Sequence, residues 1–108
     1  MTPNEKEIRA EFAYLQKRYP EIADVELGFR IRLPSNCDGI YESPPPRILI
    51  HRQLLKNLAA AHITLRHEVA HALTGNYGHG KLWIKWARKL GIPEMDIQRH
   101  IVNPELKS

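Results

Sequence analysis

The stretch from residue 63 to residue 75, ITLRHEVAHALTG, decides the fold and contains the segment His67-Glu68-Val69-Ala70-His71. On an α-helix, residues four apart lie one above the other, so His67 and His71 aim two imidazole nitrogens at one point. Glu68 lies about 100° further around the helix, where its carboxylate flanks a metal ion without being a ligand. The spacing therefore predicts a metal-binding helix in which Glu68 is a general base.

The rest of this stretch favours a helix that is buried in the core. Leu65, Val69, Ala72 and Leu73 place apolar side chains around it, and Gly75 stands where a C-cap ends a helix. The alternative is a core helix whose two histidines have ordinary partners and bind no metal.

A third ligand is expected downstream, because catalytic zinc takes three protein ligands and keeps a fourth position for water. The favoured candidate is His79, since the glycines on either side, Gly78 and Gly80, let the backbone approach the metal helix closely. Glu94 and Asp96 are the acidic alternatives. Zinc accepts imidazole readily, so the prediction is a centre of three histidines.

Three segments carry a resemblance to a known family: RILIHRQLL at 47–55, HEVAHALTG at 67–75 and HGKLWIKWARKLG at 79–91. Together they resemble the SprT-like zinc metallopeptidases, which include the Spartan proteases of DNA–protein crosslink repair. The resemblance implies an α+β, zincin-like catalytic domain with zinc as cofactor, His67, His71 and His79 as ligands and Glu68 as the catalytic residue. Many members carry a further zinc ribbon or DNA-binding segment; these 108 residues contain neither, so the expectation is a minimal catalytic domain.

The composition is that of one soluble domain spanning 1–108, because 108 residues are too few for two independent cores. No apolar run reaches membrane-spanning length, and the N-terminus lacks the apolar core of a signal peptide. The single cysteine, Cys37, excludes an intramolecular disulfide and fits a reducing compartment. The protein is therefore predicted to be a cytoplasmic monomer that binds no membrane.

Basic residues cluster after the metal motif in a protein of net charge +4: Lys81, Lys85, Arg88, Lys89 and Arg99. Such a cluster favours weak, non-specific contact with DNA, because phosphates attract cations whatever the base sequence. No recognised nucleic-acid module accompanies it, so the alternative is that the charge serves solubility alone.

The N-terminal region, 1–20, is predicted to be an amphipathic helix from Pro3 to Tyr19, capped by Thr2 and stopped by Pro20. A sheet of three strands is predicted over 24–51, in an antiparallel or mixed arrangement. Its first strand is the alternating run from Val25 to Leu33.

Two further strands complete that sheet: a short one from Ile40 to Ser43 and one from Arg47 to His51. The metal-helix region covers 53–75, with a short helix from Gln53 to Ala61 that leads into the metal helix and is either broken near Ala61-His62 or continuous with it. C-terminal helices occupy 79–102.

Two tryptophans and three histidines complete these expectations. Trp83 and Trp86 recur at helical spacing and are predicted to be core residues. His51, His62 and His100 lack the metal spacing and are interpreted as structural or surface histidines.

The predicted reaction is hydrolysis of a peptide bond in a protein substrate lying extended along the edge of the sheet. Glu68 takes the proton of the attacking water and returns it to the leaving amine, and Tyr77 or Tyr41 supplies a further donor to the oxyanion. Two alternatives remain open. One is a non-catalytic module, stapled by zinc, that binds nucleic acid or protein, and the other is a zinc hydrolase of small amides.

Overall fold

The computed structural model describes residues 1–75 and 77–102. These form helices α1 (Pro3–Arg18), α2 (Leu58–Thr74), α3 (Lys81–Lys89) and α4 (Glu94–Val102), and strands β1 (Glu26–Arg30), β2 (Gly39–Glu42) and β3 (Arg47–His51). The predicted α+β class, with helices around a small three-stranded sheet, is confirmed. Within the described residues, no helix is both long enough and apolar enough to cross a membrane.

Helix α1 begins as the sequence predicts. The Thr2 hydroxyl accepts a hydrogen bond of 3.2 Å from the backbone N–H of Glu5, and Pro3 occupies the first helical position. The helix buries one stripe, Ile8, Phe12 and Leu15, and ends at Arg18, one residue before the predicted end. This stripe packs α1 against the sheet and α2.

Strand β3 is the centre of a mixed sheet whose order is β1-β3-β2. It pairs in parallel with β1 and antiparallel with β2, which is one of the two predicted arrangements. Ile48, Leu49 and Ile50 are all buried, so both faces of the strand are covered. The two remaining strands, β1 and β2, therefore lie at the edges.

The predicted C-terminal end of the first strand is wrong. Strand β1 stops at Arg30, which pairs with His51, the last residue of β3. Beyond this point the chain has no strand to pair with, and Ile31 is 72% exposed. The alternation of apolar and polar residues continues in the sequence past the last pair of residues in the β1–β3 ladder.

The sequence left open whether the helix is broken near Ala61-His62, and in the structure α2 runs through this point without interruption. A 3-10 segment covers Arg52–Lys56, and the break falls at Asn57, whose side chain accepts a hydrogen bond of 3.2 Å from the N–H of Ala60. Asparagine is a strong N-cap, so it starts the helix here. Gly75 ends it in the left-handed conformation (φ 72°), as predicted.

Helix α2 separates two apolar clusters. Its Leu65 and Val69 pack with α1 and the sheet, whereas its Ala70 packs with residues of α3 and α4 that include Trp83 and Ile97. The metal motif thus lies on a helix that is covered from two sides.

His62 joins α2 to α1 by two hydrogen bonds. Its ring nitrogens lie 2.8 Å from Glu7 and 2.9 Å from Glu11, and because carboxylates only accept, both nitrogens donate when the ring is protonated. Burial alone would lower the pKa of His62, but the bonds to Glu7 and Glu11 outweigh it and the pKa is raised. The prediction of a structural histidine agrees with this contact.

We expect His62→Gln to cost about 0.5–1 kcal/mol of unfolding free energy at pH 6 and almost nothing at pH 9. A raised folded pKa gives stability that is complete below the unfolded value of about 6.5 and is lost as pH rises through the folded pKa. Urea unfolding of both proteins across this range measures the difference. A constant difference from pH 6 to pH 9 would show that the contact is not ionic, and His51→Gln is the control.

Candidate metal centre

Three histidines meet at one point in the structure. His67 and His71 are buried on α2, and His79 comes from the segment between α2 and α3. The Nε2 atom of His79 lies 3.1 Å from that of His67 and 3.2 Å from that of His71, and the last two are 3.3 Å apart. The structure therefore brings together the three residues that the sequence predicts to be ligands.

This triangle fits a metal ion. Tetrahedral zinc lies about 2.0–2.1 Å from each imidazole nitrogen, which places ligand nitrogens about 3.3 Å from one another. Among the described residues, these three histidines are the group of His, Cys, Asp and Glu side chains that could hold an ion. The donor set fits zinc, and its geometry does not by itself select zinc over other divalent ions.

The acidic alternatives lie outside this group. Glu94 is exposed and binds Arg88 through both carboxylate oxygens, at 2.8 and 3.2 Å. Hydrogen bonds from Arg88 and Gln98 lower the pKa of Glu94 to about 2. The Asp96 carboxylate lies 3.9 Å from the guanidinium of Arg99. Among the three candidates for a third ligand, His79 is the one that meets the pair on α2.

The prediction that Gly80 allows a close backbone approach to the metal helix is wrong. A Cβ atom added to Gly80 would meet no other atom within 4 Å, and its φ of −78° is open to any residue. Gly80 is the N-cap of α3, and α3 returns the chain along α2 by packing Trp83 and Ala87 against Ala70. This packing between helices places His79, rather than a close backbone approach at Gly80.

The close approach occurs instead at Gly39, on edge strand β2. A Cβ atom there would lie 2.6 Å from Cγ2 of Thr64 and 3.3 Å from Cγ of Glu68. Strand β2 therefore runs against the metal helix at the level of Glu68. No motif in the sequence distinguishes this glycine from one in a turn, so sequence reasoning missed it.

Trp83 lies beneath the three imidazoles. Its side chain is 1% exposed, and its ring centroid is 4.8 Å from those of His67 and His79. The indole N–H donates to the backbone carbonyl of His67 at 3.4 Å. Trp83 is a core residue, as predicted, and it also supports the site.

Glu68 is the most unusual charged group of the site. Its side chain is 1% exposed, and neither carboxylate oxygen has a hydrogen-bond partner among the described residues. Burial raises the pKa of Glu68 to about 8, and the nearby backbone amide of Tyr41 offsets only part of this shift. A buried carboxylate without a partner costs free energy, and a cation at the adjacent histidines would lower its pKa again.

Two tyrosines lie together at one side of the site. The ring centroids of Tyr41, on β2, and Tyr77, which precedes His79, are 5.9 Å apart. Tyr41 is buried and Tyr77 is exposed. Their predicted role as oxyanion donors stays a prediction.

His100 lies near the site, although the sequence analysis gave it no role there. It lies on α4, and its ring centroid is 4.6 Å from that of His67 and 4.4 Å from that of His79. Its distance along the chain from the motif concealed this contact. The available signal was Ile97, three residues earlier, which shares its buried helix face.

Comparison with known proteins agrees with this geometry. The model of the SprT-like family matches residues 5–101. The chain belongs to the SprT-like family. The match extends beyond the motif-bearing part, 47–91, and includes most of α1 and most of α4. No curated protein matches the chain.

We expect His79→Ala to weaken zinc binding by more than about 100-fold, because loss of a ligand exceeds the usual cost of a change outside the ligand set. Zinc should then raise the melting temperature of the unaltered protein far more than that of the variant, since binding to the folded state stabilises it. Competition with a coloured chelator measures the affinity. Glu94→Ala is the control, and a loss of zinc in that variant instead would contradict the assignment.

Proposed function

We propose that the protein is a zinc-dependent metallopeptidase that hydrolyses peptide bonds in proteins. The observation that carries this proposal is the combination of three imidazole nitrogens 3.1–3.3 Å apart with the carboxylate of the adjacent residue, Glu68, which is buried and has no hydrogen-bond partner among the described residues. Membership of the SprT-like family, which is linked to metallopeptidase-like domains, supports it.

His67, His71 and His79 would hold the ion. A bound zinc ion supplies a Lewis acid that lowers the pKa of a water molecule toward about 7 and offsets charge on the carbonyl oxygen. Glu68 accepts the proton of the attacking water and then donates it to the leaving amine. Its burial keeps bulk water away from this proton, and the charge of the ion favours the ionised form that can act as a base.

Edge strand β2 is the proposed binding element for the substrate. It pairs with β3 on one side, and Gly39 brings it against Thr64 and Glu68. An extended peptide that added to its other edge by backbone hydrogen bonds would pass the carboxylate. Such binding recognises the backbone more than side chains, so we propose broad selectivity among unfolded protein segments.

The alternative is a non-catalytic module in which zinc serves only as a staple. Structural zinc sites are usually closed by four protein ligands, whereas three histidines form this group among the described residues. A staple also has no use for a buried carboxylate such as Glu68, which destabilises the metal-free fold. Both points favour catalysis.

Contact with DNA is a second proposal, and it rests on two lysines. Arg88 is bound by Glu94, and the ammonium group of Lys89 lies 4.8 Å from the ring centroid of Trp86. Lys81 and Lys85 are exposed on α3, and within 1–75 and 77–102 neither has an ion pair or a ring contact of this kind. We propose that these two lysines make weak, non-specific phosphate contacts, so that the substrates include DNA-associated proteins.

We expect Glu68→Gln to lower the rate of protein cleavage by about 10²–10⁴-fold while zinc content and fold are kept. Glutamine has nearly the same shape and cannot take a proton. Cleavage of a fluorescently labelled unfolded protein by zinc-loaded samples measures the rate. Cleavage by the variant at the original rate would remove Glu68 from the mechanism, and absence of cleavage by the unaltered zinc-loaded protein would favour the staple.

For DNA, we expect the paired change Lys81→Gln and Lys85→Gln to weaken binding to single strands and to reduce the slope of log affinity against log salt by about 1.4, or 0.7 per contact. Fluorescence anisotropy at several salt concentrations measures this slope. The matched control changes Lys6 and Lys17 of α1, which are exposed and carry the same charge. Equal slopes in the two variants would show that Lys81 and Lys85 make no special phosphate contacts and that the net charge serves solubility alone.

A further inference from the structure

His100 lies in the wall of the metal centre without belonging to the group that could hold the ion. Its side chain is 9% exposed, and its ring centroid lies 4.4 Å from that of His79, 4.6 Å from that of His67 and 5.5 Å from that of Trp83. The three nitrogens that meet belong to His67, His71 and His79. His100 therefore contacts two of these residues through its ring.

The orientation of this ring is fixed by its own helix. Nδ1 lies 2.9 Å from the backbone carbonyl oxygen of Asp96, one turn earlier on α4. A carbonyl oxygen only accepts, so Nδ1 carries the proton and donates it. Ile97, which is fully buried on the same face of α4, anchors the helix in the cluster that contains Trp83. His100 is thus held as a rigid part of α4.

His79 differs from the other two histidines because it lies outside the helices and strands. Loop residues have more conformational freedom than residues of a buried helix. The ring of His79 packs against two others: the centroid of Trp83 is 4.8 Å away in an edge-to-face contact, and that of His100 is 4.4 Å away. These two rings limit the positions that His79 can take.

We propose that His100 is a positioning residue for the metal centre: by packing against His67 and His79 it holds His79 where its nitrogen meets the other two, and metal affinity therefore depends on α4. His79 is then ordered before the metal binds, so metal binding does not have to supply the free energy of ordering it. Groups outside the ligand set typically change metal affinity by about 10–100-fold. The inference rests on the metal site of the proposed function and is independent of peptide hydrolysis.

The experiment compares the affinities for Co²⁺ and Zn²⁺ of the unaltered protein, His100→Ala, His100→Phe and Ile8→Ala. We expect His100→Ala to bind both ions at least about tenfold more weakly and to change the visible spectrum of bound Co²⁺, which reports coordination geometry. His100→Phe restores a flat ring and should bind within about threefold of the original affinity, in line with a role in packing rather than ligation. Ile8→Ala removes a fully buried side chain of α1 from the apolar cluster on the other side of α2, so it should lower the melting temperature while Co²⁺ affinity and spectrum are kept.

Unchanged affinity and spectrum in His100→Ala would overturn the inference while leaving the metal site intact. Equal losses in the alanine and phenylalanine variants would also overturn it, because a nitrogen rather than the ring would then be needed. Equal losses in His100→Ala and Ile8→Ala would assign the effect to general stability and would overturn the inference as well. If His100→Ala does not fold, His100→Leu takes its place, as an apolar side chain without a flat ring. A failure of the unaltered protein to bind either ion would instead refute the metal site of the proposed function.

Discussion

The burial of helix α2 between two apolar clusters is the constraint on which the rest of the structure depends. Leu65 and Val69 are fully buried against α1 and the sheet, and Ala70 is fully buried against α3 and α4. A helix covered on both sides cannot shift or rotate without losing close-packed contacts. The His67 and His71 rings are therefore held rigidly, and the rest of the domain is arranged around them.

This arrangement explains why the family match covers residues 5–101, although the recognisable motifs lie between residues 47 and 91. Helix α1 covers α2 from one side through Ile8 and Phe12, and it is tied to the 3-10 segment by Glu5, which binds both Arg9 and Arg52. Helix α4 completes the other side. Neither helix carries the metal motif, and both are needed to bury the helix that does.

The site combines rigid ligands with one group that the fold disfavours. Thr64 and Gly39 bring β2 close to Glu68, so that its carboxylate is enclosed with no hydrogen-bond partner among the described residues, and burial raises its pKa to about 8. Replacing such a group by a neutral one usually stabilises a protein, and retaining it is a cost that functional sites bear. Ion pairs satisfy other charges nearby, among them Arg88 with Glu94, so the basic cluster is smaller than the sequence indicates.

The sequence by itself determined what depends on neighbours within one turn or one strand. The spacing of His67 and His71, the caps at Thr2 and Gly75, and the α+β class all follow from local geometry and side-chain pattern. Only the tertiary structure decided the end of β1, the enclosure of Glu68 by Gly39 and the placement of His100 beside His79, 21 positions away in the sequence. These features arise from contacts between elements that are distant in the chain, and such contacts leave no periodic trace in the residues that make them.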